Sequence, residues 1–185
     1  MVPNWLAKNP RWKLLMQSLY YPAVLGTCFV LLINKLASHT SVAAAFSDIT
    51  VYFGLLLTLY FTVSYLMNNE IASESYGLAA FAVDLLEIVL VFLAFTALGY
   101  LEPQRLDKVN LRASYMCLAP VPVLQQVWNR CVGSSDRRLL WLSGSASILA
   151  AGGAVLGGRW LPYDVGALVL FYSLLAWYFW VLVQD

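Results

Sequence analysis

The stretch at positions 77–100, GLAAFAVDLLEIVLVFLAFTALGY, decides the fold class of this chain. Asp84 and Glu87 are its charged side chains, and nearly all the other residues are apolar or small. A bilayer has a hydrocarbon core about 30 Å thick, which a helix crosses with about 20 mostly apolar residues. The stretch therefore predicts a helix that spans a membrane.

Other apolar stretches of similar length lie on both sides of this one. Residues 19–36, 49–67 and 165–183 are long enough to span, and residues 139–158 form a further stretch rich in Gly, Ala and Ser. The whole chain is 61% hydrophobic and 11% charged, with a mean hydropathy of +0.72. Soluble domains carry about 25% charged residues, so composition excludes an ordinary soluble domain. We predict an all-α, polytopic transmembrane helix bundle in a plasma or inner membrane, with the lipid bilayer as its surroundings.

The N-terminal 18 residues differ from the rest of the chain. Trp5 and Trp12 lie there among the basic residues Lys8, Arg11 and Lys13. Aromatic and basic side chains mixed in this way are typical of helices that lie at the membrane surface. The sequence therefore predicts an interfacial amphipathic segment over residues 1–18 and a single transmembrane domain over residues 19–185.

Residues 101–138 leave the number of spans open at five or six. Their middle part, residues 113–128, is short for a span and contains Pro120 and Pro122, neither of which can donate a helical hydrogen bond. The distribution of Lys and Arg favours five spans, whereas the spacing of the helical hairpins favours six. We expect six, with the segment at 113–128 broken near its prolines. A surface helix with a proline-rich start is the alternative.

The acid pair is the strongest signal for function. A carboxylate at mid-membrane costs at least about 2.5–3.5 kcal/mol, so two within one turn need an explanation. Asp84 and Glu87 are spaced i, i+3 and share a helix face with Ala80, Val91 and Ala94. The small residues on this face favour close helix packing, so we expect the acids to face the bundle interior.

Neutral donors for the acids are expected from the preceding apolar stretch. Thr58, Thr62 and Tyr65 share one face of that stretch. The two neighbouring acids need such partners because both cannot stay ionised cheaply in a low-dielectric site. We therefore predict that these five residues form a site that binds or relays a cation or proton, with one acid protonated. The alternative is a structural role, in which the acids fix helix packing and the threonines bond to carbonyls of their own helix.

Small residues along the stretch at 139–158 predict a packing surface. Ser147, Ala150, Gly153 and Gly157 repeat at helical spacing and let another backbone come close. This surface would serve packing within one chain or between chains, and we expect a homo-oligomer.

Two functional hypotheses follow from these features. The first is an oligomeric cation or proton channel or transporter, without a cofactor and without a bound metal. The second is a non-catalytic membrane subunit that docks a protein partner through the basic region at residues 101–138. An enzyme acting on a lipid or quinone at the interface ranks third, since no familiar catalytic motif is present. The formal net charge of +1 offers no field to attract nucleic acid, which is not expected as a partner.

Overall fold

The computed structural model describes residues 10–70, 75–102, 109–133 and 137–184 of the chain, and the regular structure in these ranges is helical. The elements are α1 (Pro10–Leu15), a π-helical turn (Met16–Tyr20), α2 (Tyr21–Ala37), α3 (Val42–Ser47), α4 (Ile49–Glu70), α5 (Leu78–Ala97), α6 (Leu111–Leu118), α7 (Val121–Val132), α8 (Arg137–Leu156) and α9 (Leu161–Gln184).

Four of the described helical stretches are long and apolar enough to cross a membrane. They are Arg11–Ala37, Ile49–Leu66, Leu78–Ala97 and Leu161–Trp180. This confirms the prediction of a multi-pass, all-helical membrane protein. The apolar part of α8, Leu140–Leu156, is shorter, and the segment made by α6 and α7 is less apolar, so a fifth and a sixth span stay predictions.

The first spanning stretch contains an irregular turn with a sequence cause. Pro22 cannot donate to the carbonyl of Ser18, and its ring crowds that carbonyl. The helix adapts through the π-helical turn Met16–Tyr20, in which the amide of Tyr21 donates to the carbonyl of Met16. Helix therefore continues from α1 into α2 across residue 18, the predicted end of the interfacial segment. Residues 1–9 of that segment lie outside the described residues.

The segment predicted to be broken is two helices with a turn between them. Helix α6 ends at Leu118 and α7 begins at Val121, so the break falls at Ala119 and Pro120, as the prolines predict. Both helices pack between α5 and α8. Tyr115 and Trp128 are buried at the two ends of the segment. The segment therefore packs between these two helices, and its position relative to the membrane stays a prediction.

Helix α5 lies at the centre of this arrangement because it packs against both α6 and α7. The predicted interior face is confirmed, since its five members are all buried: Ala80, Asp84, Glu87, Val91 and Ala94. Helix α4 packs against α2 and α9 instead, and α4 with α5 is not among the closely packed helix pairs of the described residues. This separation determines which side chains of α4 can reach the acids.

The small residues of α8 contact an aromatic ring of the same chain. A methyl group at Gly153 would overlap the ring of Tyr115, and one at Gly157 would lie 2.6 Å from its Cδ2 atom. Ala150 is fully buried and Ser147 is half-buried. Gly153 and Gly157 thus face α6 within one protomer, and the homo-oligomer stays a prediction.

Candidate functional site

Asp84 accepts hydrogen bonds from tyrosines of two other segments. The hydroxyl of Tyr21, at the start of α2, donates to Oδ1 of Asp84 at 3.3 Å. The hydroxyl of Tyr76, just before α5, donates to Oδ2. Tyr76 is fully buried and its ring contacts that of Trp128 on α7, with 6.5 Å between the ring centroids. Hydroxyl donors therefore cover both oxygens of this carboxyl group.

Glu87 lies one turn further along α5 and contacts a third tyrosine. The hydroxyl oxygen of Tyr60 on α4 lies 3.1 Å from Oε2 of Glu87 and 3.3 Å from Oε1 of Gln125 on α7. The second carboxyl oxygen of Glu87, Oε1, is buried without a hydrogen-bond partner among the described residues. An ionised carboxylate with an unpartnered oxygen is costly in a low-dielectric interior, so this environment favours the neutral acid.

The three donors predicted from α4 occupy other positions. Thr58 donates to the carbonyl of Gly54 at 2.8 Å, and Thr62 donates to the carbonyl of Thr58 at 2.9 Å. Tyr65 packs its ring against that of Tyr21, with 5.7 Å between the centroids. The threonine hydroxyls are too short to cross from α4 to α5, so they bond to their own helix. Thr58 and Thr62 thus bond as in the structural alternative, and tyrosines contact the acids in their place.

The tyrosines carried a signal that could have been read from the sequence. Tyr21, Tyr60 and Tyr76 all lie in or next to apolar stretches, where a phenol hydroxyl needs a partner once it is buried. Tyr60 has a side chain long enough to reach the next helix. We define the acid–tyrosine cluster as Asp84, Glu87 and these three tyrosines.

The hydrogen bonds around Tyr60 have two consistent arrangements. A tyrosine hydroxyl carries one hydrogen, so it can donate to Glu87 or to Gln125 at one time. With Glu87 neutral, its acid hydrogen is donated to Tyr60, and Tyr60 donates to Oε1 of Gln125. With Glu87 ionised, Tyr60 donates to Glu87, and a half-turn of the Gln125 amide lets its nitrogen donate to Tyr60. The two arrangements differ by one proton.

A cavity of about 130 Å³ adjoins Tyr60. It lies where α4, the α6–α7 segment, α8 and α9 meet, and Tyr60 connects it to Glu87. The described residues that line the cavity are uncharged: Leu56, Leu57, Tyr60, Leu118, Val121, Pro122, Gln125, Gln126, Leu142, Ser143, Ala146, Phe171, Leu174, Leu175 and Tyr178.

A second polar cluster lies where the end of α2 meets the start of α4, away from the acids. Lys35 is 1% exposed and forms an ion pair with Asp48, with 3.4 Å between Nζ and Oδ2. His39 bridges this pair, since Nε2 lies 3.1 Å from Oδ2 of Asp48 and Nδ1 lies 2.8 Å from the carbonyl of Lys35. The backbone amide and the hydroxyl of Thr50 both donate to Asp48 at the start of α4. We call this set the Lys35–Asp48 cluster.

The pKa of Asp48 lies below its ordinary value. Burial by itself raises the pKa, but the two hydrogen bonds from Thr50, the charge of Lys35 and the contact with His39 lower it by more. The ionised carboxylate therefore stabilises the connection between the first two spans. Lys35 is committed to this pair, at the end of α2 far from the tyrosine that donates to Asp84.

The basic region at residues 101–138 is only partly described. Arg112 donates to the carbonyl of Ala154 on α8 at 3.1 Å, and Arg130 and Arg138 are exposed. Arg105 and Lys108 lie outside the described residues. Within the described ranges, the structure places no three His, Cys, Asp or Glu side chains where they could share a metal ion.

Comparison of the chain with protein-family models, curated proteins and solved structures gives no match.

Proposed function

We propose that this multi-pass membrane protein moves protons, with Glu87 and Asp84 as the groups that take up and release them. The observation that supports the proposal most is the contact of Tyr60 with both Glu87 and Gln125 beside the cavity. Because the two hydrogen-bond arrangements there differ by one proton, Glu87 can change its protonation state without losing its contact with Tyr60.

The donors around the acids favour a proton over a metal cation. Tyrosine hydroxyls donate to both oxygens of Asp84, and the hydroxyl of Tyr60 contacts one oxygen of Glu87. A bound cation needs oxygen lone pairs directed at it, typically six or more for the hard cations. Among the described residues no third His, Cys, Asp or Glu side chain joins the two acids to hold a metal ion, whereas hydroxyl partners are what a proton path requires. Ionisable groups inside membranes are typical of such paths.

Proton flux into proteoliposomes that contain the full chain tests this proposal. A pH-sensitive dye inside the vesicles reports the flux, which is driven by a potassium diffusion potential. We expect Glu87→Gln to lower the flux at least tenfold, because an amide cannot release a proton at neutral pH. Asp84→Asn should also lower it, and both proteins should still fold because the amides keep the shape of the acids.

Tyr60→Phe removes the link between Glu87 and the cavity and should also lower the flux. Tyr172→Phe is its matched control, since Tyr172 donates at 2.8 Å to the carbonyl of Tyr52 on α4, away from the acids. This control should keep the flux near that of the unmodified protein. Full flux in the double variant of Asp84→Asn and Glu87→Gln would refute the proton path. The docking of a protein partner through the basic region would then be the better hypothesis.

A further inference from the structure

The cavity beside Tyr60 has a size that fits a particular kind of guest. Its volume of about 130 Å³ is close to the ~150 Å³ of an engineered apolar cavity that binds benzene. The cavity is not enclosed, so a small molecule can enter it from outside the bundle without unfolding a helix. It has room for one six-membered ring.

The lining selects for a neutral ring. The lining includes six leucine side chains and the rings of Phe171 and Tyr178, and the described lining residues carry no charge. A charged molecule would lose its hydration there and gain no counter-charge. An uncharged aromatic ring keeps its contacts with apolar and aromatic side chains.

Gln125 adds a polar requirement to this apolar site. An amide oxygen has two lone pairs, and the contact with the hydroxyl of Tyr60 occupies one of those on Oε1 of Gln125. Gln125 lines the cavity, so a guest can donate to the other lone pair. We propose that the cavity binds a neutral phenol-type compound, with its ring among the leucines and its hydroxyl donating to Oε1 of Gln125.

Binding of 4-fluorophenol and 4-fluorotoluene to the full chain in mild detergent tests the proposal. The two probes have nearly the same shape, but only the first has a hydroxyl, and fluorine NMR detects both. Partition into protein-free micelles is subtracted for each probe. We expect 4-fluorophenol to bind about three- to tenfold more tightly, the range that one net hydrogen bond supplies.

Substitutions in the lining identify the site. Gln125→Leu should reduce this preference to about one, because leucine has a similar size and no acceptor. Ser143→Ala is the matched control, since Ser143 also lines the cavity but donates to the carbonyl of Leu140 at 3.1 Å. It should keep the preference. Ala146→Leu and Leu174→Phe fill the cavity from two different helices and should each reduce binding of both probes at least tenfold.

If Ala146→Leu or Leu174→Phe shows a folding defect, seen as a large loss of melting temperature, the other variant tests whether filling the cavity reduces binding. Equal binding of the two probes, or an unchanged preference in Gln125→Leu, would overturn the proposal in favour of a purely apolar site. Displacement of both probes by added phospholipid, with no preference between them, would indicate a site for lipid acyl chains and would overturn it as well. Probe binding is measured without a proton gradient. A negative binding result therefore counts against the phenol site alone, and a negative flux result counts against the proton path.

Discussion

Gly153→Ala tests the packing of α8 against α6. The added methyl group would lie 2.6 Å from Cδ2 of Tyr115 and closer still to its Cγ and Cδ1 atoms. The ring is 1% exposed and sits between Phe53, Tyr163 and Phe171, with centroid distances of 5.4, 6.3 and 6.4 Å. It cannot rotate away cheaply because rings surround it on several sides.

The expected loss follows from a matched pair of substitutions. Gly144 lies on the same helix, and a methyl group added there meets nothing within 4 Å. Both substitutions gain the same helix propensity, about 0.5–1 kcal/mol. Their difference therefore isolates the overlap with Tyr115, which should cost about 1–3 kcal/mol, as methyl groups forced into packed cores do. Gly144→Ala should be neutral or stabilising.

Unfolding in mixtures of mild detergent and SDS, followed by tryptophan fluorescence, measures the free energy of unfolding of each variant. A second comparison uses Tyr115→Ala as the background. Without the ring, Gly153→Ala should behave like Gly144→Ala, because substitutions that share one contact are not additive. Equal stability of the two alanine variants in the unmodified background would refute the packing described here and would mean that this face of α8 does not need its glycines.

Three further predictions concern the ends of the bundle. The pKa of Asp48 is lower in the folded protein than in the unfolded chain, so its interactions stabilise the fold above about pH 4. This stability is lost as the pH falls through the pKa of Asp48 in the folded protein. Asp48→Asn should remove this loss of stability in acid, measured as the free energy of unfolding from pH 2 to 6. Gly54→Ala should destabilise by about 1–3 kcal/mol in the SDS assay, because its methyl group would overlap the buried hydroxyl of Tyr100. In a background in which Cys28, Cys117 and Cys131 are replaced by serine, single cysteines at Asn110 and Gly133, before α6 and after α7, should be labelled from opposite sides of the membrane. Labelling from one side would exclude the sixth span.

The class of fold and the interior face of α5 could be predicted because both are local properties. Chain hydropathy indicates spanning helices, and an i, i+3 spacing places Asp84 and Glu87 on one face wherever the helix packs. The tyrosine donors could not be predicted in the same way. Tyr21 is 63 residues from Asp84 and Tyr60 is 27 residues from Glu87, so these contacts depend on how the helices are arranged.

The two threonines follow the structural alternative, in which their hydroxyls bond to carbonyls of their own helix, for a related reason. The shared helix face of Thr58 and Thr62 is a local property that their spacing determines. Whether their hydroxyls reach the acids depends on the distance between α4 and α5. The Lys35–Asp48 pair, by contrast, had a usable signal. The two residues lie at the facing ends of consecutive apolar stretches joined by a short connection, so their side chains meet at one side of the bundle.

The π-helical turn at Met16–Tyr20 takes up one residue more than an α turn within a continuous helix. Trp12 and Tyr21 are nine residues apart, which in a regular α-helix would place them about 180° apart, on opposite faces. The extra residue in the turn reduces this angle to about 80°. Both side chains therefore reach α5, where the ring of Trp12 lies 5.0 Å from that of Phe81 and Tyr21 donates to Asp84.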